Sequence, residues 1–253
     1  MPRRFYAPQL GEQPKLVLSP EETRHLTTVL RAVLGDTLVI FDGRGTEAIA
    51  RICGECAGGV ELEVLERRID SHRRPNRVTV ATAVPKGDRF DWLVEKATEL
   101  GVDRLIPLTT SRSIVEPGSG KLDRLRRTIV EASKQCRRSE LMELTPLVSW
   151  RQFLATEITP GATWMADPTG TTWHESVIDT QRDLTFLIGP EGGFTPQEIE
   201  QAVAAGVKPV SLGANILRIE TAALLVAGLA IIEHDQRSGR ADAGSMEFPA
   251  PVD

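Results

Sequence analysis

The segment LTFLIGPEGGF, residues 184–194, passes from a strand pattern into a glycine-rich loop, and this change indicates the fold class. Its apolar run at 184–188 predicts a buried strand, which stops at a loop with three glycines and one proline. Residues 195–198 (TPQE) then have the spacing of a helix capping box, and Gly206 marks the end of that helix. A strand that passes through a glycine loop into a helix is the unit from which parallel α/β sheets are built.

The segment SLGANILRIETA, residues 211–222, has the same design. A strand predicted at 207–212 leads through Gly213 into a last helix, from about Ile219 to His234. Ligands of open α/β sheets bind beyond the carboxyl ends of the strands, where both loops lie, and glycine lets a flat ligand approach the backbone. Each loop alone is equally consistent with an ordinary turn, and Arg218 and Glu220 could simply cap the last helix.

The rest of the C-terminal part alternates in the same way. Strands are predicted at 78–84, 105–108 and 163–166, and helices at 88–100 and 122–136. In the helix at 88–100, the apolar residues that share one face are Phe90, Leu93, Val94 and Ala97. We therefore expect an α/β fold with a parallel sheet and helices on both of its faces.

The first 70 residues follow a different pattern. Residues 19–22 (SPEE) predict the start of a helix that runs to about Arg31. Short strands are predicted at 37–41, 47–52 and 60–65, and their close spacing indicates a small β-barrel. Residues 67–77 are basic and lack periodicity, which predicts a linker that is either simply solvated or placed along a phosphate backbone.

Charge divides the chain unequally. Residues 1–138 hold 24 Lys and Arg against 19 Asp and Glu, whereas the remainder holds 6 against 16, within a total net charge of −5. Arginine greatly outnumbers lysine, and its planar guanidinium suits phosphate oxygens and base edges. RNA is therefore one candidate partner, while pairing of surface arginines with surface carboxylates is an equal alternative.

Several kinds of site are not predicted. The chain has no P-loop, no dinucleotide fingerprint and no nucleophile elbow, and its four histidines show no metal-ligand spacing. Cys53 and Cys56 form a lone C-x-x-C pair, which does not complete a zinc site, so we expect no metal. Three cysteines indicate reduced thiols and a cytoplasmic location. The longest apolar run, 222–232, is too short to span a bilayer.

Taken together, LIGPEGGF (187–194) and SLGANILRIETA (211–222) resemble the SPOUT methyltransferases, most closely the RsmE family, which methylates N3 of a uridine in 16S ribosomal RNA. The resemblance extends over nearly the whole chain. Its other segments are RRFY (3–6), RHL (24–26), VLR (29–31), FDG (41–43), KGDR (86–89), EKATELGV (95–102), SRS (111–113), Glu131 and QCR (135–137).

The resemblance implies a SPOUT trefoil-knotted parallel sheet with helices on both faces, preceded by an N-terminal PUA-like small β-barrel. The implied domains are a PUA-like RNA-binding barrel at 1–72 and a SPOUT methyltransferase domain at 73–238, and we expect a disordered tail at 239–253. It further implies S-adenosylmethionine as cofactor, 16S ribosomal RNA in the small subunit as partner, and a homodimer without membrane or metal.

The resemblance also implies the site residues. Those implied to bind S-adenosylmethionine are Leu187, Gly189, Glu191, Gly192, Leu212, Gly213, Ile216, Leu217 and Glu220. Those implied to contact RNA are Arg4, Arg24, His25, Arg31, Lys86, Lys96, Arg112, Gln135 and Arg137.

For catalysis, uridine N3 must lose its proton, and a cation should stabilise the anionic ring. Arg112, Arg137 and Arg218 are the candidates for that charge. Glu220 either takes the proton or holds the loop in shape, and we favour the second role. This chain has Asn215 where the family usually has an arginine, whose implied role is to contact phosphate or to stabilise the uridine anion. Arg218 or an arginine of the partner subunit could take over that role.

Three alternatives to this function remain open. A non-catalytic RNA-binding or ribosome-assembly protein would use the second domain only to dimerise, and binding of S-adenosylmethionine separates it from an enzyme. A SPOUT methyltransferase with another target, such as a ribose 2′-hydroxyl or guanine N1 in transfer RNA, is the second alternative, against which only the resemblance of the barrel and of the GPEGG loop (189–193) argues. An α/β enzyme of small molecules is a weaker alternative, because it would not need the basic N-terminal half.

Overall fold

The computed structural model describes residues 3–69, 74–176 and 178–237, so the expected tail at 239–253 lies outside the described residues. Two compact units can be distinguished. The first contains residues 3–69 together with Ser133–Leu141, and the second contains residues 74–132 and 142–237. The domain bounds drawn from the sequence stay a prediction, to which the structure adds that Ser133–Leu141 packs with the first unit.

The first unit is built on a five-stranded mixed sheet. Its strands are β1 (Arg4–Tyr6), β2 (Lys15–Val17), β3 (Thr37–Phe41), β4 (Thr46–Cys56) and β5 (Gly59–Ile69), in the order β1-β3-β4-β5-β2. Only the β1–β3 pair is parallel. The three strands predicted from the sequence are confirmed, although β4 and β5 are longer and β5 takes in the start of the predicted linker. Phe5, Leu26, Ile40 and Leu62 fill the core of this unit.

The helix predicted from Ser19 to Arg31 is shorter than expected. Ser19 accepts a hydrogen bond from the backbone N–H of Glu22 at 3.2 Å, as its predicted N-cap role requires, and α1 covers Pro20–Arg24. A π-helical turn, His25–Val29, continues the chain, and Arg31 then has a left-handed backbone with φ +50°. A left-handed residue cannot continue a right-handed helix, so the predicted last residues lie outside it.

The second unit is built on a parallel sheet, as the sequence predicts. Its strands are β6 (Val78–Ala83), β7 (Arg104–Thr109), β8 (Glu143–Leu144), β9 (Val148–Ser149), β10 (Thr163–Thr172), β11 (Leu184–Ile188) and β12 (Lys208–Ser211). They are arranged in the order β12-β10-β11-β6-β7-β8, and β9 also pairs with β7. The two-residue strands β8 and β9 have no sequence signal.

Helices cover both faces of this sheet. They are α2 (Arg89–Leu100), α3 (Ser119–Cys136), α4 (Trp150–Thr156), α5 (Pro196–Ala204) and α6 (Ile219–Arg237), of which α4 was not predicted. On one face, Leu187 packs in a buried cluster with Phe153 of α4 and Ala202 of α5. On the other, Trp173 contacts Phe186 and donates to the Glu233 carboxylate of α6, which packs on β6 and β11. No helix in the described ranges is long and apolar enough to cross a membrane.

A buried ion pair joins β1, β4 and Ser133–Leu141 within the first unit. Arg4 Nη1 donates to Glu47 Oε2 at 2.8 Å, and Arg4 Nη2 donates to Ser139 Oγ at 2.6 Å. The side chains of Arg4 and Glu47 are only 7% and 6% exposed, and the guanidinium lies 4.6 Å from the centre of the Phe41 ring. Because a buried carboxylate that loses its partner is strongly destabilising, this pair supports the unit.

Replacing Arg4 by Met should therefore lower the free energy of unfolding by about 3 kcal/mol, because it leaves the buried Glu47 carboxylate with the Ser139 hydroxyl but without its cation. Urea denaturation followed by circular dichroism measures the change. The matched control is Arg3→Met, since Arg3 is 39% exposed and 3.7 Å from Asp36, and we expect it to change stability by less than about 1 kcal/mol. Equal effects of the two substitutions would contradict this role of Arg4.

Candidate functional site

A cavity of about 480 Å³ lies at the carboxyl ends of three adjacent strands, β10, β11 and β12. Parallel pairing places the ends of β11 and β12 at one edge of the sheet, so the two loops that follow them converge there, beside the register shift between Ala166 and Thr171 of β10. The lining residues are Ala166, Asp167, Pro168, 188–194, Leu212, Gly213, 215–219 and Ala222. Both glycine loops quoted above therefore belong to one site.

The loop after β11 is fixed by the start of α5. Thr195 and Glu198 form the predicted capping box, in which the Thr195 hydroxyl accepts from the Glu198 N–H and the Glu198 carboxylate accepts from the Thr195 N–H. Gly189 packs closely under Phe194, since a Cβ there would lie 3.0 Å from the Phe194 ring and would displace it slightly. The backbone of this loop can therefore lie close to a ligand in the cavity.

Glu198 also connects this loop to the one after β7. Its carboxylate is buried and accepts the backbone N–H of Ser111 at 2.8 Å. Burial raises the pKa of the Glu198 carboxyl, but the hydrogen bonds from the N–H groups of Ser111 and Thr195 and from the Thr195 hydroxyl outweigh it, so the pKa is lowered overall. Beside it, Arg112 Nη1 donates to the Gly192 carbonyl at 2.6 Å. The predicted catalytic residue Arg112 thus lies against the glycine loop.

The loop after β12 is open and partly apolar. Gly213 has φ +122°, a conformation that residues with a side chain rarely adopt. Ile216 is 92% exposed although it is a large apolar residue, and it lines the cavity together with Leu217. Arg218 is also in the lining, just before α6 begins at Ile219. An exposed isoleucine beside a cavity is available to pack on the flat face of a ligand.

An arginine from the start of α2 contacts residues of both loops. Arg89 Nη2 donates to Glu191 Oε1 at 3.2 Å, and Arg89 Nη1 lies 3.6 Å from Glu220 Oε1. Glu191 lines the cavity, whereas Glu220 is buried in the first turn of α6. The other carboxylate oxygen of Glu220 is buried and has no hydrogen-bond partner among the described residues.

The residues implied to bind the cofactor line this cavity, with the exception of Leu187 and Glu220. Leu187 is fully buried in the core beneath the loop, and Glu220 pairs with Arg89 instead. Asn215, at the position where the family usually has arginine, is exposed and also lines the cavity. That these residues bind a cofactor stays a prediction.

The residues implied to contact RNA are distributed over both units. In the second unit Lys86 and Arg112 are exposed, whereas Lys96 is paired at 2.7 Å with each of Glu95 and Glu99. In the first unit are Arg4, Arg24, His25, Arg31, Gln135 and Arg137. Of these, Arg4 is buried in its ion pair with Glu47 and has little surface left for a ligand.

Three residues of the site carry no sequence signal of their role. Asp167 lines the cavity from the irregular middle of β10, and Arg89 and Glu198 hold the loops. For Glu198, the capping-box spacing predicted the contact with Thr195 but not the one with Ser111, which is 87 residues away. The motif KGDR at 86–89 was part of the resemblance, but nothing in it indicated the two partners of Arg89.

The arrangement can hold a flat, partly apolar ligand that carries positive charge. Ile216 and Leu217 offer apolar contacts, the glycine loops offer backbone groups, and Asp167 and Glu191 offer negative charge next to Arg218. Within the part of the chain that the structure describes, no group of three or more His, Cys, Asp or Glu side chains could hold a metal ion.

Comparison with known proteins identifies the family of this chain. A model described as RNA methyltransferase domain matches residues 72–231, and one described as RNA methyltransferase PUA domain matches residues 18–64. Ribosomal RNA small subunit methyltransferase E of Synechocystis sp. is 33% identical over 87% of this chain and 74% of that protein. The chain belongs to the ribosomal RNA small subunit methyltransferase E family.

Solved structures agree with this membership. A ribosomal RNA small subunit methyltransferase E from Neisseria gonorrhoeae, bound to S-adenosylmethionine, is 29% identical with a TM-score of 0.80, over 94% of this chain and 98% of that one. A Legionella pneumophila protein, also with bound S-adenosylmethionine, is 31% identical with a TM-score of 0.83, over 92% and 98%. The SPOUT fold class and the PUA-like N-terminal unit are thereby confirmed, while the trefoil knot stays a prediction.

In this methyltransferase E family member, replacing Glu198 by Gln should lower the free energy of unfolding at pH 7 by about 1–3 kcal/mol, because buried N–H groups lose a charged acceptor. The folded-state pKa of Glu198 lies below the unfolded value of about 4.3. Its contribution is therefore complete above the unfolded pKa and is lost as the pH falls through the folded one.

The difference between wild type and the Glu198→Gln variant should accordingly shrink below about pH 4. Urea denaturation at a series of pH values measures it. Glu200→Gln, a change of an exposed residue on the same helix, is the matched control and should alter stability little. A Glu198→Gln effect that is equal at pH 7 and pH 3 would contradict the assigned role.

Proposed function

We propose that this protein transfers a methyl group from S-adenosylmethionine to N3 of a specific uridine in the 16S ribosomal RNA of the small subunit. The observation that carries the proposal is the cavity at the ends of β10, β11 and β12, formed by the two glycine loops of a ribosomal RNA methyltransferase family member. The similar proteins from Neisseria gonorrhoeae and Legionella pneumophila hold this cofactor in their solved structures, and the residues of the cavity fit it.

The fit rests on size and chemistry. A volume of about 480 Å³ falls within the range of small-molecule pockets, about 300–1,000 Å³. The apolar side chains of Ile216 and Leu217 can pack on an adenine ring. The Asp167 carboxylate faces the same cavity and favours a ligand with a cationic sulfonium or ammonium group, whereas the Glu191 carboxylate is already bound by Arg89. When bound, S-adenosylmethionine supplies an already activated methyl group, so the protein mainly has to position the reactants.

The residues of the chain would act on the uridine. The N3 atom would lose its proton to solvent and a guanidinium close to the ring would stabilise the anion, so that the N3–C bond can form as the S–C bond of the sulfonium breaks and S-adenosylhomocysteine leaves. Arg112 and Arg218 are the candidates beside the cavity, since Arg112 is bound to the Gly192 carbonyl and Arg218 lines the cavity. Arg137, on the segment that packs with the first unit, is the third.

We favour a positioning role for Glu220 over the role of general base. Its carboxylate is buried, is not part of the cavity lining, and lies 3.6 Å from the Arg89 guanidinium. A base must come within hydrogen-bonding reach of the proton that it removes. Glu220 is more suitably placed to hold the start of α6 and the loop before it.

RNA binding is proposed for the PUA-like unit together with the exposed cations Lys86 and Arg112. Because N3 lies on the Watson–Crick edge, the uridine must be unpaired or flipped out to react, so an accompanying RNA-binding unit is useful. The small ribosomal subunit is the proposed partner, which implies a cytoplasmic location. A homodimer is proposed through α2 and α6, since Trp92, Leu225 and Ile232 expose large apolar side chains on these two packed helices.

Methylation of small subunits that lack the modification tests the proposal directly. Labelled S-adenosylmethionine and the purified protein should transfer label to 16S ribosomal RNA, and a reverse-transcription stop should map it to one uridine, since N3 methylation blocks base pairing. Transfer RNA is the control substrate and should stay unlabelled. Label in transfer RNA alone would support the alternative target, and no binding of S-adenosylmethionine would contradict the enzyme assignment.

Replacing Gly213 by Val should weaken binding of S-adenosylhomocysteine, the demethylated product, by at least about tenfold. A β-branched residue at φ +122° is strained, which moves the loop after β12. Isothermal titration calorimetry measures the affinity. Gly35→Val is the matched control, because Gly35 has a positive φ in the first unit with open space around it, and it should leave binding intact. Unchanged binding by a folded Gly213→Val variant would count against this placement of the cofactor.

A further inference from the structure

We infer that Arg89 is the positioning residue that holds the two cofactor loops of this site together, acting through Glu191 and Glu220. This inference deepens the proposed function and rests on it. Arg89 is absent from the cavity lining, so its contribution to cofactor binding comes through the two carboxylates that it bridges.

The geometry is that of one guanidinium between two loops. Arg89 is the first residue of α2, and its Nη2 and Nη1 atoms lie 3.2 Å from Glu191 Oε1 and 3.6 Å from Glu220 Oε1, respectively. Glu191 belongs to the loop after β11, and Glu220 follows directly on the loop after β12. The first loop precedes α5 in the sequence and the second follows β12, so α5 and β12 separate them along the chain. The Arg89 side chain from α2 links them.

The charges explain why a cation is needed there. Two carboxylates that converge on one point repel each other, and the Glu220 side chain is only 8% exposed, so water screens its charge poorly. A buried carboxylate is costly unless a partner compensates its charge. Arg89, itself 34% exposed, supplies that compensation and draws both carboxylates toward the start of α2. Since α2 packs against α6, the arginine has a rigid base.

Arginine suits this position better than lysine would. Its planar guanidinium presents several N–H donors in a fixed fork and can bind two carboxylates at once, whereas an ammonium group is a compact point charge. Replacement by lysine should therefore keep the charge but weaken the link. Removal of the charge should leave Glu191 and Glu220 to repel each other and should open the cavity.

The test is a set of variants measured by calorimetry with S-adenosylhomocysteine. Arg89→Gln should raise the Kd about tenfold, and Arg89→Lys should fall between this variant and wild type. The double variant Arg89→Gln/Glu220→Gln should recover part of the lost affinity, because it no longer leaves a buried carboxylate without its cation. In the methylation assay, Arg89→Gln should raise KM for the cofactor by more than it lowers kcat.

Arg104→Gln is the matched control. Arg104 also bridges two carboxylates, those of Glu143 and Glu157, and is 25% exposed, but it lies at the opposite end of the sheet, at the start of β7. The Arg104→Gln variant should be less stable than wild type but should keep its affinity for S-adenosylhomocysteine. Circular dichroism of each variant shows that the protein tested is folded.

The outcomes separate this inference from the proposed function. If wild type does not bind S-adenosylhomocysteine, the proposed function fails. If wild type binds and a folded Arg89→Gln variant binds equally well, the inference fails and the function stands. A loss of RNA affinity with unchanged cofactor affinity would show that Arg89 contacts RNA directly, which also overturns the inference. A double variant weaker than Arg89→Gln would show that Arg89 does not act through Glu220.

Discussion

The pairing of β10 with β11 on one side and β12 on the other is the constraint on which the site depends. Because all three strands are parallel, their carboxyl ends meet at one edge, and the loops that follow them must converge there. The middle strand of the pairing at this edge, β11, is apolar and almost entirely buried, and the first three residues of β10 are buried beside it, so the base of the site is packed into the core. The loops beyond it can then be open and rich in glycine without losing their common location.

Loops of this kind need other interactions to fix their shape, and charged side chains supply them. Glu198 holds the loop after β7 against the start of α5 through backbone N–H groups, and Arg89 joins the loops on either side of α5. Both residues sit at helix starts, where they are held by regular structure. The glycine loops therefore keep backbone groups free for a ligand, while residues outside the lining determine where these groups point.

The sequence predicts the features of the fold and the site that depend on neighbouring residues, and not those that depend on contacts between distant residues. The strands at 37–41 and 184–188 and the capping box at 195–198 agree with the structure closely, because they depend on neighbouring residues. The three-residue strands β1 and β2 form only by pairing with β3 and β5, which are distant in sequence, so no local pattern reveals them. The Arg89–Glu191 and Glu198–Ser111 contacts join residues 102 and 87 positions apart. The burial of Arg4 likewise depends on a distant residue, Glu47, so no local pattern predicts it. Sequence motifs identified the loops but not what holds them.

The backbone of two arginines adds a further constraint in the first unit. Among the described residues other than glycine, Arg31 and Arg137 alone have a positive φ, at +50° and +63°. Such conformations cost of order 1–3 kcal/mol each and persist only where the surrounding structure enforces them. Arg31 follows the π-helical turn and Arg137 follows the end of α3, so each sits where a helix is forced to stop and the chain turns sharply. Glycine adopts a positive φ without steric strain, so glycine would be favoured at such a position if the side chain had no role. Arginine occupies both positions and is exposed at both, and its positive charge is attracted to a polyanion, which is consistent with the RNA-binding role proposed for this unit.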